Sequence, residues 1–134
     1  MRSAPLLLAL ALGGCSLFGD DGPRYSGPDS YAYTLTVTCY CALPGPLRVT
    51  VRDGEVAEVR PIDPPAVLAE DGGPVEAVTL AELTALARRA AREADRVDVE
   101  YDRTYGFPTS LYIDWDEGVA DEEIGYAADD FEVL

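Results

Sequence analysis

The sequence contains no histidine, lysine, asparagine or glutamine, and all ten of its basic residues are arginine. Without histidine, Ser-His-Asp and Cys-His catalysis, histidine metal sites and imidazole proton transfer are excluded. Without lysine, amine nucleophiles are excluded as well. Catalysis would have to rest on carboxylates, tyrosine, arginine or thiols, so we expect a protein that is not an enzyme.

Positive charge is also scarce. The chain carries 25 acidic residues against 10 basic ones, which gives a net charge of −15. Such a charge repels nucleic acid and anionic lipid headgroups, so nucleic acid is not expected as a partner. The imbalance is strongest from Asp98 onward, where twelve acidic residues are opposed by Arg103 alone.

The first fourteen residues differ from the rest of the chain. Arg2 precedes a short apolar run over residues 4–12, and Leu12-Gly13-Gly14-Cys15 follows it directly. This order is typical of a secretory signal, and the run is shorter than the ~20 residues of a membrane-spanning helix. The tetrapeptide resembles the lipobox of bacterial lipoproteins. The resemblance implies cleavage before Cys15 and attachment of a lipid to its sulfur.

Three segments are therefore expected. Residues 1–14 form a signal peptide, residues 15–29 a lipidated cysteine with a flexible tether, and residues 30–134 a single domain. The lipid would hold the protein on the cell membrane, facing outside the cytoplasm. Because Ser16 is not an aspartate retention signal, the outer membrane is expected in a bacterium with two membranes. The alternative is a secreted protein whose Cys15 lies near the cleavage point by chance.

Within the domain, alternating apolar and polar residues predict strands on both sides of one helix. The helix is predicted over residues 80–95, opened by a capping box of Thr79 and Glu82. Asp53-Gly54 predicts a tight hairpin. The fold class expected is α+β, an antiparallel sheet of about five strands with one helix packed across one face. The strands are predicted at residues 31–41, 47–52, 55–60, 97–101 and 110–116, and a last short strand over 124–134.

Several of these segments together resemble a family of bacterial envelope lipoproteins that is defined as a domain of unknown function. The resemblance rests on Tyr31-x-Tyr33, Cys39-Tyr40-Cys41, the Val-x-Val-Arg-Asp-Gly hairpin at 49–54, Tyr101-Asp102, Gly106-Phe107-Pro108 and Ile113-Asp114. It covers roughly residues 31–131 and implies a fold and an envelope location, with no activity attached.

Cys39 and Cys41 are the two thiols left once Cys15 carries lipid. Outside the cytoplasm disulfides persist, and two cysteines at positions i and i+2 of a strand point to the same side. We expect a local disulfide between them. Two buried thiols, a thiol-redox pair and a soft-metal site are the alternatives.

The acidic C-terminal region offers a second candidate site. Six of its carboxylates could converge on Ca²⁺, which binds six to eight oxygens. We nevertheless expect a solvated acidic face, paired in part with the four helix arginines, and the cation site is the alternative. The six residues are Asp114, Asp116, Glu117, Asp121, Glu122 and Glu123.

Two further groups are considered for chemistry or binding. For Asp102 and Asp114 we expect turn capping and solvation at the strand edge, and an acid–base pair is the alternative. Five aromatic residues at sheet spacing can pack in the core or line a groove for a partner; they are Tyr31, Tyr33, Tyr101, Tyr112 and Trp115.

Taken together, the residues favour a binding or structural module with an unknown envelope protein as partner. A divalent-cation or thiol-redox protein is the alternative, followed by a small-ligand pocket between helix and sheet.

Overall fold

A computed structural model describes residues 22–40, 45–62 and 77–134. In these ranges three strands are followed by one helix and then by three more strands. Within these ranges the elements are β1 (Tyr31–Cys39), β2 (Leu47–Arg52), β3 (Glu55–Pro61), α1 (Leu80–Glu93), β4 (Arg96–Tyr101), β5 (Pro108–Asp114) and β6 (Glu123–Val133).

All six strands belong to one sheet, in the order β3-β2-β1-β6-β5-β4, and every neighbouring pair is antiparallel. The helix packs across one face and contacts β4 and β5. The α+β prediction is confirmed, with six strands rather than about five. The predicted short last strand is instead eleven residues long and lies at the centre of the sheet. Pairing with a strand on each side outweighs the poor strand propensity of its Gly125, Asp129 and Asp130.

The predicted helix begins where expected. Thr79 accepts a hydrogen bond from the Glu82 backbone, and the Glu82 side chain accepts one from the Thr79 backbone, so the capping box is present. The hydroxyl groups of Tyr31 and Tyr33 also reach this point: Tyr31 accepts from the Leu80 N–H, and Tyr33 donates to the Val78 carbonyl. Strand β1 therefore fixes the position at which the helix starts.

The core lies between the helix and the sheet. The fully buried side chains alternate along β1, β2 and β5 and meet one stripe of the helix, as expected for period-two strands against a period-3.6 helix. Its largest members are Tyr31, Tyr33, Leu35, Val49, Val51, Leu80, Leu83, Leu111 and Ile113.

The helix does not cover the other face of the sheet, which we call the open face. A side chain of the sheet itself, that of Arg48, buries part of this face. Arg48 lies across this face and donates to the Asp130 carbonyl (2.7 Å) and to the Glu132 carboxylate (3.1 Å). Its guanidinium also donates to the Thr34 hydroxyl (3.4 Å), and Thr34 is only 7% exposed. The alternation had placed Thr34 on the exposed side, and this arginine is the reason that it is not exposed.

Residues 22–29, which were predicted as part of the tether, lie against the domain. The Ser26 N–H donates to the Tyr105 carbonyl (2.8 Å), and the Gly54 N–H donates to the Asp29 carbonyl (2.8 Å). The Tyr25 ring lies 5.9 Å from that of Tyr31. Backbone hydrogen bonds and aromatic packing hold the segment against the domain.

These contacts define one end of the sheet as the entry end, where β1 begins beside the β2–β3 and β4–β5 turns. The opposite end is formed by the end of β1, the beginnings of β4 and β6 and the end of β5. At ~3.3 Å per residue, the five steps from Tyr101 back to Arg96 separate the two ends by about 17 Å.

Candidate functional site

The end of the sheet opposite the entry end carries the six predicted carboxylates. Asp114 closes β5 and Glu123 opens β6, and the two residues are paired across the strands. The connecting segment carries the other four acids. Tyr40, Tyr112 and Trp115 lie at the same end. We call this surface the acidic end; it consists of Asp114, Asp116, Glu117, Asp121, Glu122 and Glu123 with the three aromatic residues.

The six carboxylates share an end of the fold without forming a chelating group. Across the described ranges, no three Asp, Glu, Cys or His side chains are grouped so that they could hold a metal ion. Asp116 instead accepts from the Gly118 N–H (2.8 Å), and the Glu117 N–H is held by Asp95 (3.0 Å). The geometry therefore provides no preformed Ca²⁺ site, and binding of Ca²⁺ stays a prediction.

The expected pairing of these acids with the helix arginines is wrong. In the part of the chain that the structure describes, none of the six carboxylates forms an ion pair. Arg89 instead pairs with Glu93 on its own helix (3.9 Å), and Arg88 donates to the Gly22 carbonyl (2.7 Å). Among the described residues, the six carboxylates thus form no ion pair with these arginines, although Arg89 and Arg96 lie over aromatic rings at the same end.

Asp114 is the most buried member of the acidic end. Its side chain is 7% exposed, and its Oδ1 atom is buried without a hydrogen-bond partner among the described residues. An unsatisfied buried polar atom costs ~1–3 kcal/mol, and more when it is charged. This carboxylate therefore favours the arrival of a donor or a positive charge nearby.

Two of the aromatic rings already contact guanidinium groups. Arg89 lies 5.2 Å from the centre of the Trp115 ring, and Arg96 lies 5.6 Å from that of Tyr112. Both distances fall within the range of a cation–π contact. Partial burial and then the charges of Glu123 and Asp114 raise the pKa of the Tyr112 hydroxyl. The surface thus combines aromatic faces with a negative field.

Two grooves flank the ridge where Cys39 of β1 pairs with Ile124 of β6. The open-face groove has a volume of about 400 Å³ and is lined by Thr38, Cys39, Tyr40, Tyr112, Glu123, Ile124 and Gly125. The helix-side groove has a volume of about 560 Å³ and is lined by Cys39, Tyr40, Trp115, Asp121, Glu122, Glu123 and Ile124. A ligand at either groove would meet aromatic rings and carboxylates together.

The sequence had not singled out the open-face groove. Gly125 forms its floor, between Thr38 on one neighbouring strand and Tyr112 on the other. A glycine inside a strand is a known signal of close approach or open space. Gly125 could therefore have been noticed, but its neighbours come from distant parts of the chain.

The other candidate residues from the sequence, Asp102 and the two cysteines, add no catalytic group to the acidic end within the described part of the chain. Asp102 accepts hydrogen bonds from the Thr104 and Tyr105 N–H groups (3.0 and 2.7 Å). It therefore caps the β4–β5 turn at the entry end, far from Asp114, and the two do not form an acid–base pair. Cys39 is the last residue of β1, whereas Cys41 lies outside the described residues, so their disulfide stays a prediction.

The predicted signal peptide and Cys15 also lie outside the described residues. Within the described ranges, no helix has both the length and the apolar character needed to cross a membrane.

Comparison with known proteins identifies one family. Residues 24–133 match the family of unknown function (DUF6174). The prediction of a domain of unknown function over roughly residues 31–131 is thereby confirmed, and the match reaches further toward the N-terminus, into the segment that packs on the domain. No curated protein and no solved structure matches the chain.

Proposed function

The chain belongs to the DUF6174 family, and we propose that it is a lipid-anchored protein of the cell envelope whose acidic end binds a basic segment of a partner protein. In this proposal the protein acts by binding and performs no catalysis. The anchor is the lipid on Cys15, and the membrane is the outer one in a bacterium with two membranes.

The observation that carries this proposal is the state of the six carboxylates at the acidic end. They are concentrated on one surface without an arginine partner among the described residues, and they surround aromatic rings. Aromatic residues are enriched at protein interfaces, and a patch of carboxylates that form no ion pair steers basic partners toward itself. Nucleic acid and anionic lipid fit this surface poorly because the net charge is −15.

The direction of the chain gives further support. Residues 22–30 lie against the entry end, where Ser26 contacts Tyr105 and Asp29 contacts Gly54. The acidic end lies about 17 Å further along the sheet. A lipid attached before residue 22 would thus join the domain from the entry end. The acidic end would then face away from the anchor, toward other envelope proteins.

The competing functions have less support. A Ca²⁺ site would need several convergent oxygens, and the described residues form no such group. Thiol-redox catalysis usually uses cysteines at the start of a helix, where the thiol pKa is lowered, whereas Cys39 ends a strand.

Neutralising part of the acidic end is expected to weaken binding about tenfold. The variant combines Asp121→Asn, Glu122→Gln and Glu123→Gln, which keep the size and shape of each side chain. At ~0.5 kcal/mol for each exposed charge, the loss amounts to about 1.5 kcal/mol, or roughly a factor of ten. The measurement is the fluorescence anisotropy of a labelled decapeptide of alternating arginine and serine, titrated with full-length lipidated protein in uncharged detergent.

The matched control removes three charges elsewhere, by Asp53→Asn, Glu55→Gln and Glu100→Gln. These residues are exposed and lie toward the entry end, so affinity should change less than about twofold. Equal losses in the two triple variants would show that binding follows net charge alone. Such a result would contradict a site at the acidic end.

The anchor has its own test. Cells that express the protein and are fed a radiolabelled fatty acid should yield a labelled protein in the membrane fraction, and the Cys15→Ala variant should carry no label. Lipid attachment needs the sulfur of that cysteine, so no other residue should substitute for it. An unlabelled wild-type protein would remove the anchor from the proposal.

A further inference from the structure

We infer that the open-face groove, with Gly125 as its floor, is the receptor for a single arginine side chain of the partner. The inference rests on the proposed function and specifies the chemistry that this surface recognises. Three observations support it: the shape of the groove, the aromatic rings and carboxylate that line it, and the contacts that two arginines of this protein already make with rings at the same end.

The shape comes from a missing side chain in the middle of the sheet. Gly125 on β6 lies between Thr38 on β1 and Tyr112 on β5, and the side chains of these two neighbours project from the open face. Because Gly125 has no side chain, a gap of about 400 Å³ is left between its neighbours and Tyr40. Tyr40 is 78% exposed, so this ring has no fixed place in the core.

The chemistry of the lining suits a flat cation. Tyr40 and Tyr112 offer aromatic rings, and Glu123 offers a carboxylate at the rim. Behind Glu123, in the neighbouring strand, lies Asp114 with its buried and unpartnered Oδ1 atom. A guanidinium group stacks on aromatic rings and pairs with carboxylates in a planar, two-pronged arrangement, whereas an ammonium group is a compact and strongly hydrated charge.

The protein itself supplies the precedent. Arg96 lies over the Tyr112 ring at 5.6 Å and pairs with Asp98 at 3.1 Å. The groove offers an incoming arginine the same combination, with the ring of Tyr40 or Tyr112 and the carboxylate of Glu123. Arg89 stands over Trp115 on the other side of the same end. Arginine from a partner would therefore bind as the protein's own arginines do.

Filling the gap tests the inference without disturbing the fold. A Cβ atom on Gly125 would lie 3.7 Å from the Thr38 Cβ, an ordinary contact, and Gly125 does not have a left-handed backbone conformation. Gly125→Val should therefore fold, with an unchanged or higher melting temperature, because valine favours strands. Ala127→Val is the matched control: it changes the same face of the same strand, two residues further on, between Thr36 and Ser110.

The measurement compares two labelled decapeptides of equal charge, arginine–serine and lysine–serine, on full-length protein. Wild type and Ala127→Val should bind the arginine peptide about five- to tenfold more tightly than the lysine peptide, and Gly125→Val should lose this preference. Tyr40→Ala, at an exposed position, should lower arginine affinity about three- to tenfold. If Gly125→Val fails to fold, the loss of arginine affinity in Tyr40→Ala tests the groove instead.

The outcomes separate the inference from the proposed function. Equal binding of both peptides, with no effect of Gly125→Val or Tyr40→Ala, would overturn the arginine groove and leave the acidic end as a general site for basic segments. Displacement of the peptide by tetramethylammonium but not by free arginine would overturn it in favour of a quaternary ammonium ligand. If neither peptide binds wild-type protein, both the groove and the proposed function fail.

Discussion

Replacing Gly106 by alanine is expected to lower the free energy of unfolding by about 2–4 kcal/mol. Gly106 has a φ of +78°, where side chains other than hydrogen are strained, and an added Cβ atom would lie 2.6 Å from the Arg24 carbonyl oxygen. The backbone of the 22–30 segment would have to move away. Urea denaturation followed by circular dichroism measures the change.

Gly54→Ala provides the control for this prediction. Gly54 has the same φ of +78°, but no atom lies within 4 Å of an added Cβ. Its alanine variant should lose only the conformational contribution of about 1–2 kcal/mol. The difference between the variants then measures how strongly the 22–30 segment is held. If both variants lose equally, that segment contributes nothing to stability.

As the pH rises above 10, the domain is expected to lose stability at a rate that approaches about 2.7 kcal/mol per pH unit from two buried tyrosines. Burial raises the pKa of the Tyr31 and Tyr33 hydroxyls above the ordinary value of 10.0, and the two side chains are 1% and 0% exposed. In the unfolded chain both hydroxyls ionise near pH 10, whereas in the folded protein they stay neutral. Their stabilising effect is therefore complete below pH 10 and is lost as the pH rises toward the folded pKa.

Urea denaturation at intervals between pH 8 and pH 11.5, with tyrosinate absorbance followed in parallel, measures this dependence. Tyr33→Phe removes one of the two groups, so its slope should be smaller by about 1.4 kcal/mol per pH unit. The variant also loses the hydrogen bond to the Val78 carbonyl, which lowers stability at every pH and leaves the slope unaffected. A slope identical to that of wild type would contradict the assignment.

The local features of the fold could be predicted because their causes are local. The capping box of Thr79 and Glu82 places the start of the helix correctly. Asp53 and Gly54 both have positive φ angles, as the predicted tight hairpin requires. The alternation of β1 and β2 also identifies Tyr31, Tyr33, Val49 and Val51 as core residues, because one face of each strand must meet the helix.

Features that depend on distant residues could not be predicted in this way. The central position of β6 follows from pairing with β1 and β5 on either side, and its own residues give a weak strand signal. Residues 22–29 have the composition of a linker, yet the Tyr105 carbonyl holds them. The burial of Thr34 depends on Arg48 reaching across the sheet. Each of these contacts becomes visible only when the strand order is known.

The candidate site was predicted in part. The six acids were identified and do lie at one end of the fold, but in the described ranges they form no ion pair with the expected arginines and do not converge on one point. The open-face groove escaped notice because Thr38, Tyr112 and Gly125 are brought together by register between β1, β6 and β5.

The most direct measurement is the residue-by-residue response of the protein's amide signals to the arginine–serine peptide, followed by ¹H–¹⁵N nuclear magnetic resonance. We expect the largest shifts at Gly125, Tyr112 and Glu123, and none at Asp53 or Gly54 near the entry end. Shifts centred on the β2–β3 hairpin, or spread evenly over all exposed acids, would contradict a binding site at the acidic end.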